Sequence, residues 1–199
     1  MFYFKRPTLT FGFTLVELIV VIAIIGILTS IVLANLAGAR AGARDDIRKT
    51  DLKNLQAAIE LYKAQNGYYP LRGCIDALDP VGYWSGANPE SHPSVEQCTN
   101  YIEGLVPDYI PALPIDLNPT LNNSGYIYRT DANVNPKAYK IMAWNSLEVK
   151  RVSDYDDEFA RCPRAIPNVC PTPFPPLTPF NAGIHATYAV YGGSSSEGW

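Results

Sequence analysis

The chain has 199 residues, of which 47% are hydrophobic and 18% charged, with a formal net charge of −3. That length allows one domain or little more, and the composition excludes wholesale disorder. The mildly acidic balance argues against a nucleic-acid binder that works by neutralising phosphates, and two histidines, His92 and His185, leave little material for histidine catalysis.

Residues 1–12 contain Lys5 and Arg6 and end on Gly12. An apolar run starts at Phe13, is cut once by Glu17, and continues from Leu18 to Ala34. Seventeen uninterrupted residues are the lower end of a membrane span, which needs roughly 17–25. Phe13–Val16 lengthens the run. The basic residues before it should stay cytoplasmic, so the rest of the chain faces outward. A cleaved secretory signal needs a core of about 7–15 apolar residues, and this core is longer. A plain anchor would accept the length but not Glu17. A carboxylate costs about 2.5–3.5 kcal/mol at the centre of a membrane helix, and less near its end. A charge kept there has a task.

The segment Gly12-Phe13-Thr14-Leu15-Val16-Glu17-Leu18, after a short basic leader and before an apolar helix, resembles the N-terminus of type IV pilins and of the pseudopilins of type II secretion. The resemblance implies that a prepilin peptidase cuts between Gly12 and Phe13 and methylates the new Phe13 terminus. It makes Glu17 the assembly residue. Glycine gives a protease access to the backbone, and the freed Phe13 amine has a pKa near 8, so it is mostly cationic. Glu17 lies one helical turn away and can pair with that amine or with a neighbouring subunit's. The family's proline near the end of the run is replaced here by Ala34-Asn35.

Residues 40–66 read as the amphipathic half of the same helix. Ile47, Leu52, Leu55, Ile59 and Tyr62 recur at near-helical steps with Ala58 on the same face. Asn66-Gly67 is the stop signal. No proline interrupts Phe13–Asn66, a span of about 80 Å if helical throughout. Arg40, Arg44 and Arg48 fall at i, i+4 and i+8 with Asp45, Asp46 and Asp51 interleaved. The spacing reads as a charged collar facing solvent or acidic neighbours, not a nucleic-acid stripe.

Residues 67–199 form the exported head. Residues 71–125 show little periodicity and many prolines, and read as a connecting loop containing Cys74 and Cys98. Its stretch Leu105–Asp116 resembles a segment of the major pseudopilins. Residues 126–199 hold the sheet and a proline-rich loop. Strands are expected at 125–130, 138–144 and 186–191, with 147–152 as a further short candidate. Pro163 through Pro179 reads as extended, polyproline-like chain. Cys162 precedes it and Cys170 lies within it, eight residues on. Four cysteines without a C-x₂-C pair favour disulfides over zinc in an exported domain. Nearest-neighbour pairing gives Cys74–Cys98 and Cys162–Cys170, one of three connectivities. Asp154, Asp156, Asp157 and Glu158 form the densest acidic cluster. It reads as a solvated turn, with calcium as the alternative because hard oxygen ligands suit that ion. Otherwise no cofactor is expected.

The expected fold is α+β, a long N-terminal helix packed on a small antiparallel sheet, as in the pilins. The expected function is structural, with no catalysis of its own: a subunit of a type IV pilus or pseudopilus held in the inner membrane by a single pass with the head outside. Its partners would be copies of itself, the prepilin peptidase, the membrane and the inner-membrane assembly platform, with no nucleic acid. The alternative is a membrane-anchored or tip binding module that recognises a glycan or protein through its tyrosine-rich head.

Overall fold

The computed structural model describes residues 12–73, 84–87, 95–97, 99–116, 124–131, 133–149, 152, 158–160 and 186–193. The order is α1 (Leu15–Asn66), β1 (Trp84–Gly86), β2 (Val95–Gln97), β3 (Gly125–Thr130), β4 (Tyr139–Trp144) and β5 (Tyr188–Gly192). The chain divides into two compact units, Met1–Arg40 and Ala41–Trp199.

In the first unit, α1 is helical from Leu15, and no proline or capping sequence ends it. Its apolar side chains are exposed. Leu15, Ile22, Ile27 and Leu33 are each more than half accessible. A helix apolar on every side belongs in an apolar medium or a bundle, not in water.

In the second unit, α1 buries one stripe. Leu52, Leu55 and Ile59 have no exposed surface, and Ala58 and Tyr62 pack beside them. Ile47 does not join the stripe, for it is 43% exposed. The step from 47 to 52 is five residues, about 140° away from alignment at 100° per residue. The helix stops where its sequence says it should. Gly67 takes a left-handed φ of 82°, its N–H donates to Lys63 O at 2.8 Å, and Asn66 Nδ2 donates to Tyr62 O.

The stripe packs on a sheet ordered β2-β1-β3-β4-β5. The pairs β1–β3, β3–β4 and β4–β5 are antiparallel, while β2 lies parallel to β1 at the edge. Strand alternation assigns the faces. Tyr126, Tyr128, Tyr139, Ile141, Ala143, Tyr188 and Val190 join the helix in one buried cluster. Ile127, Met142 and Ala189 are cross-strand partners that form a smaller cluster with Trp84 on the other face. Two differences from the sequence reading concern strands. Residues 84–86 and 95–97 pair with the sheet although 71–125 carried no strand periodicity. Three-residue strands are too short to show alternation. Leu147–Val149 forms no strand. The Glu148 and Val149 amides turn toward the helix instead, as described below, while the Leu147 N–H donates to Ala186 O.

Candidate assembly site

The N-terminal unit presents Gly12, Phe13, Thr14 and Glu17 together at the start of α1. Phe13 is 82% exposed. Thr14 is the N-cap, and its Oγ1 accepts the Glu17 N–H at 3.2 Å. Glu17 reaches back, and its Oε2 accepts both the Thr14 N–H at 2.9 Å and the Thr14 hydroxyl at 2.7 Å. This is a reciprocal capping box, Thr-x-x-Glu, which satisfies helix-start amides that have no intrahelical partner. The Glu17 charge also lies at the positive end of the helix dipole. Sequence reasoning missed this role, although the spacing from Thr14 to Glu17 before an apolar run was a sufficient signal. Among the described residues Glu17 Oε1 accepts no hydrogen bond, so one oxygen is left for a cation.

The other polar side chains of the apolar stretch satisfy themselves. Thr29 Oγ1 donates to Ile25 O, Ser30 Oγ to Ile27 O and Asn35 Nδ2 to Ile31 O. Back-bonding of this kind removes the cost of an unpaired donor where no water is present. Among the described residues α1 is one helix long and apolar enough to cross a membrane.

In the second unit, Arg44 and Arg48 face acidic neighbours of the same chain rather than solvent. Arg48 is 1% exposed and sits inside an ion cluster. Its Nη2 and Nε donate to Asp116 at 2.6 and 3.1 Å, and its Nη1 donates to Asp45 at 2.9 Å and to Glu148 at 3.0 Å. Arg44 makes a two-point contact with Glu148, Nη2 to Oε2 at 2.5 Å and Nε to Oε1 at 2.7 Å. Asp45, fully buried, accepts the Glu148 and Val149 amides, both at 2.9 Å. That contact replaces the strand pairing expected for 147–152. The helix thereby grips two loops that the sequence places 68 and 100 residues away. Which acids these are was not readable, and the cause is range. Helical spacing shows which side chains share a face, and nothing local shows that Asp116 and Glu148 return to it.

The charges answer this geometry. The Arg44 hydrogen bonds, more than burial opposes them, bring the Glu148 carboxyl down to about 2, and Arg48 adds to the effect. Burial alone would lower Arg48, but its bonds to Asp116 and Glu148 raise it. Next in line, Tyr126 Oη donates to Asp51 Oδ2 at 2.7 Å. Burial raises the Asp51 carboxyl.

The remaining candidates fall elsewhere. Cys74, Cys98, Cys162 and Cys170 lie outside the described residues, as do Asp154, Asp156 and Asp157. Glu158 is exposed and forms an ion pair with Lys53, whose Nζ lies over the Phe159 ring. Among the described residues no group of three or more His, Cys, Asp or Glu side chains is placed to hold a metal ion.

The long helix and the small antiparallel sheet match an α+β pilin fold. A model of the prokaryotic N-terminal methylation motif matches residues 10–33, which include Gly12, Phe13 and Glu17. The chain is similar to proteins named type II secretion system core protein G. It is 38% identical to that of Vibrio cholerae serotype O1 over 106 residues, 53% of this chain and 63% of the relative. Identity to the Klebsiella pneumoniae protein is 38% over 107 residues, 53% of this chain and 66% of the relative. The Escherichia coli K12 protein is 44% identical over 59 residues, 30% of this chain and 41% of the relative. The chain therefore spans less than two thirds of the length of these curated relatives. No solved structure matches it. The stem carries the prepilin-type signature shared by type IV pilins and type II pseudopilins.

Proposed function

We propose that this chain is a structural subunit of a pseudopilus of the type II secretion class, built as a helical filament of many copies. One observation carries the reading. A capped helix with apolar side chains on every face begins within a methylation motif, and those side chains are exposed in the single chain. In the inner membrane lipid covers them. In a filament the stems of other copies do. Cleavage between Gly12 and Phe13 leaves both members of the capping box on the mature chain, so processing preserves the start of the helix. It also creates the Phe13 amine, a cation for which Glu17 Oε1 of the same or an adjoining copy is a partner. Leaving either charge alone in an apolar bundle is costly, which sets the axial register between copies.

The head lies outside the inner membrane, and the prepilin peptidase and the assembly platform are the remaining partners. Type IV pilus membership is the neighbouring reading, and the curated relatives favour the secretion class over it and over a tip binding module. The test is shearing of producing cells. The released fraction should contain filaments composed of this chain. Recovery of the chain only in the membrane fraction, with no filament, would reject the proposal.

A further inference from the structure

Among the described residues of the head lies a groove whose occupant they do not supply. The cavity holds about 510 Å³ and lies between α1 and the loop 109–114, lined by Ala57, Leu61, Tyr109, Ile110 and Pro111, with Asp51 at one end. Leu61 is 49% exposed beside it. Asp51 is the only charged residue in the lining, and it enters no ion pair among the described residues. The complement stands on another part of the head. In the loop between β3 and β4, Val134 is 86% exposed, more than any other apolar side chain of the described head, and Lys137 is exposed three residues on. This loop is not loosely held. Asp131 accepts the Asn133 and Lys137 amides at 3.4 and 3.0 Å, and Pro136 O accepts the Tyr69 N–H at 2.9 Å. A fixed loop that presents an apolar tip and a cation matches an apolar groove that ends in a carboxylate. Preorganisation of this kind spares the ordering entropy that docking otherwise costs.

We propose that the β3–β4 loop of one copy docks in the α1/109–114 groove of the next, with Val134 in the apolar part and Lys137 at Asp51. The inference rests on the filament reading, which supplies the second copy. Loop and groove are different surfaces, so the contact is heterologous, the kind that propagates into an open helical fibre rather than closing a dimer. The geometry also sets a stagger. The Tyr69–Pro136 bond holds the loop beside the chain that follows the end of α1. The groove lies five to fifteen residues further up the helix, roughly 8–22 Å at 1.5 Å per residue. Docking requires neighbouring copies to be offset along the helix axis by about that much.

The test uses the full chain in producing cells, with p-benzoylphenylalanine in place of Val134 and, separately, the double variant Val134→Asp with Lys137→Glu. Both positions are exposed, so the melting temperature of the double variant should equal that of the unaltered chain. Its sheared filament yield should fall at least tenfold. Illumination should give a covalent dimer whose adduct maps to residues 51–61 or 109–114. A normal filament yield from the double variant, or an adduct mapped elsewhere, overturns the docking while the filament reading stands. Absence of filaments from the unaltered chain rejects that reading and the docking with it.

Discussion

Arg48→Met is the sharpest probe of the head. Methionine keeps most of the aliphatic packing and removes the guanidinium. The loss leaves Asp116, 6% exposed, with neither of its Arg48 bonds, and Asp45, fully buried, without its 2.9 Å contact. Removing one partner of a buried pair costs about 3–5 kcal/mol, because the opposing charge stays desolvated. Stability of a domain this size is of order 5–15 kcal/mol, so the loss is a large share of it. At about 2–4 °C per kcal/mol for 150–250 residues, the melting temperature should fall by roughly 6–20 °C. The assay is thermal unfolding of detergent-solubilised chain, followed by near-ultraviolet circular dichroism of the buried tyrosines. Arg44→Ala is the control. That arginine is 31% exposed, and among the described residues its hydrogen bonds go to Glu148, so its loss should cost clearly less. Adding Asp116→Leu to Arg48→Met removes one of the stranded charges and should recover part of the loss. A melting temperature within 2 °C of the unaltered chain for Arg48→Met, or equal losses at Arg44 and Arg48, would refute the reasoning.

Other outcomes follow from the same structure. Glu17→Ala should leave a cleaved, membrane-held chain with few or no filaments, and Thr14→Val should cost the helix start about 0.5–2 kcal/mol without removing the charge. Equal filament loss in both variants would assign the effect to capping and not to the charge. Burial raises the phenols of Tyr101, Tyr126, Tyr128 and Tyr139 above their ordinary value of 10.0. Their contribution is complete below pH 10 and should be lost as the pH rises beyond it, so the share of the 295 nm tyrosinate absorbance due to these four should appear only together with unfolding. Loss of the 295 nm step at pH 10 assigned to these four by Tyr→Phe substitution, while the head is still folded, would contradict the burial. Non-reducing peptide mapping should show Cys74–Cys98 and Cys162–Cys170, and free thiols or stoichiometric zinc would reject that pairing.

Much of this molecule was written locally. The apolar run, the stop at Asn66-Gly67 and the three longer strands each come from periodicity or turn chemistry within a few residues of the element. The intramembrane cost of Glu17 marks it in the sequence, and the Thr14-x-x-Glu17 spacing also carries the capping box that the structure shows. The ion cluster was not legible. Arg44, Asp45 and Arg48 sit on one stretch of helix, yet their burial depends on Asp116 and Glu148, whose return to the helix is a property of the folded chain. β1 and β2 failed for a related reason. Their pairing is set by the neighbouring β3, and three residues carry no pattern of their own. The partner of the exposed stem lies outside the single chain, so its sequence shows the need for a cover and not the cover itself.

Intact mass spectrometry of the sheared filament fraction tests the central claim most directly. Removal of residues 1–12 takes away Lys5 and Arg6 and no acidic residue, so basic residues fall from 16 to 14 and the formal net charge goes from −3 to −5. The filaments should be made of a chain that begins at methylated Phe13, and a Gly12→Trp variant should keep its leader and enter no filament. Filaments containing the chain with Met1 intact, or a mature chain beginning beyond the stem at Arg40, would contradict it.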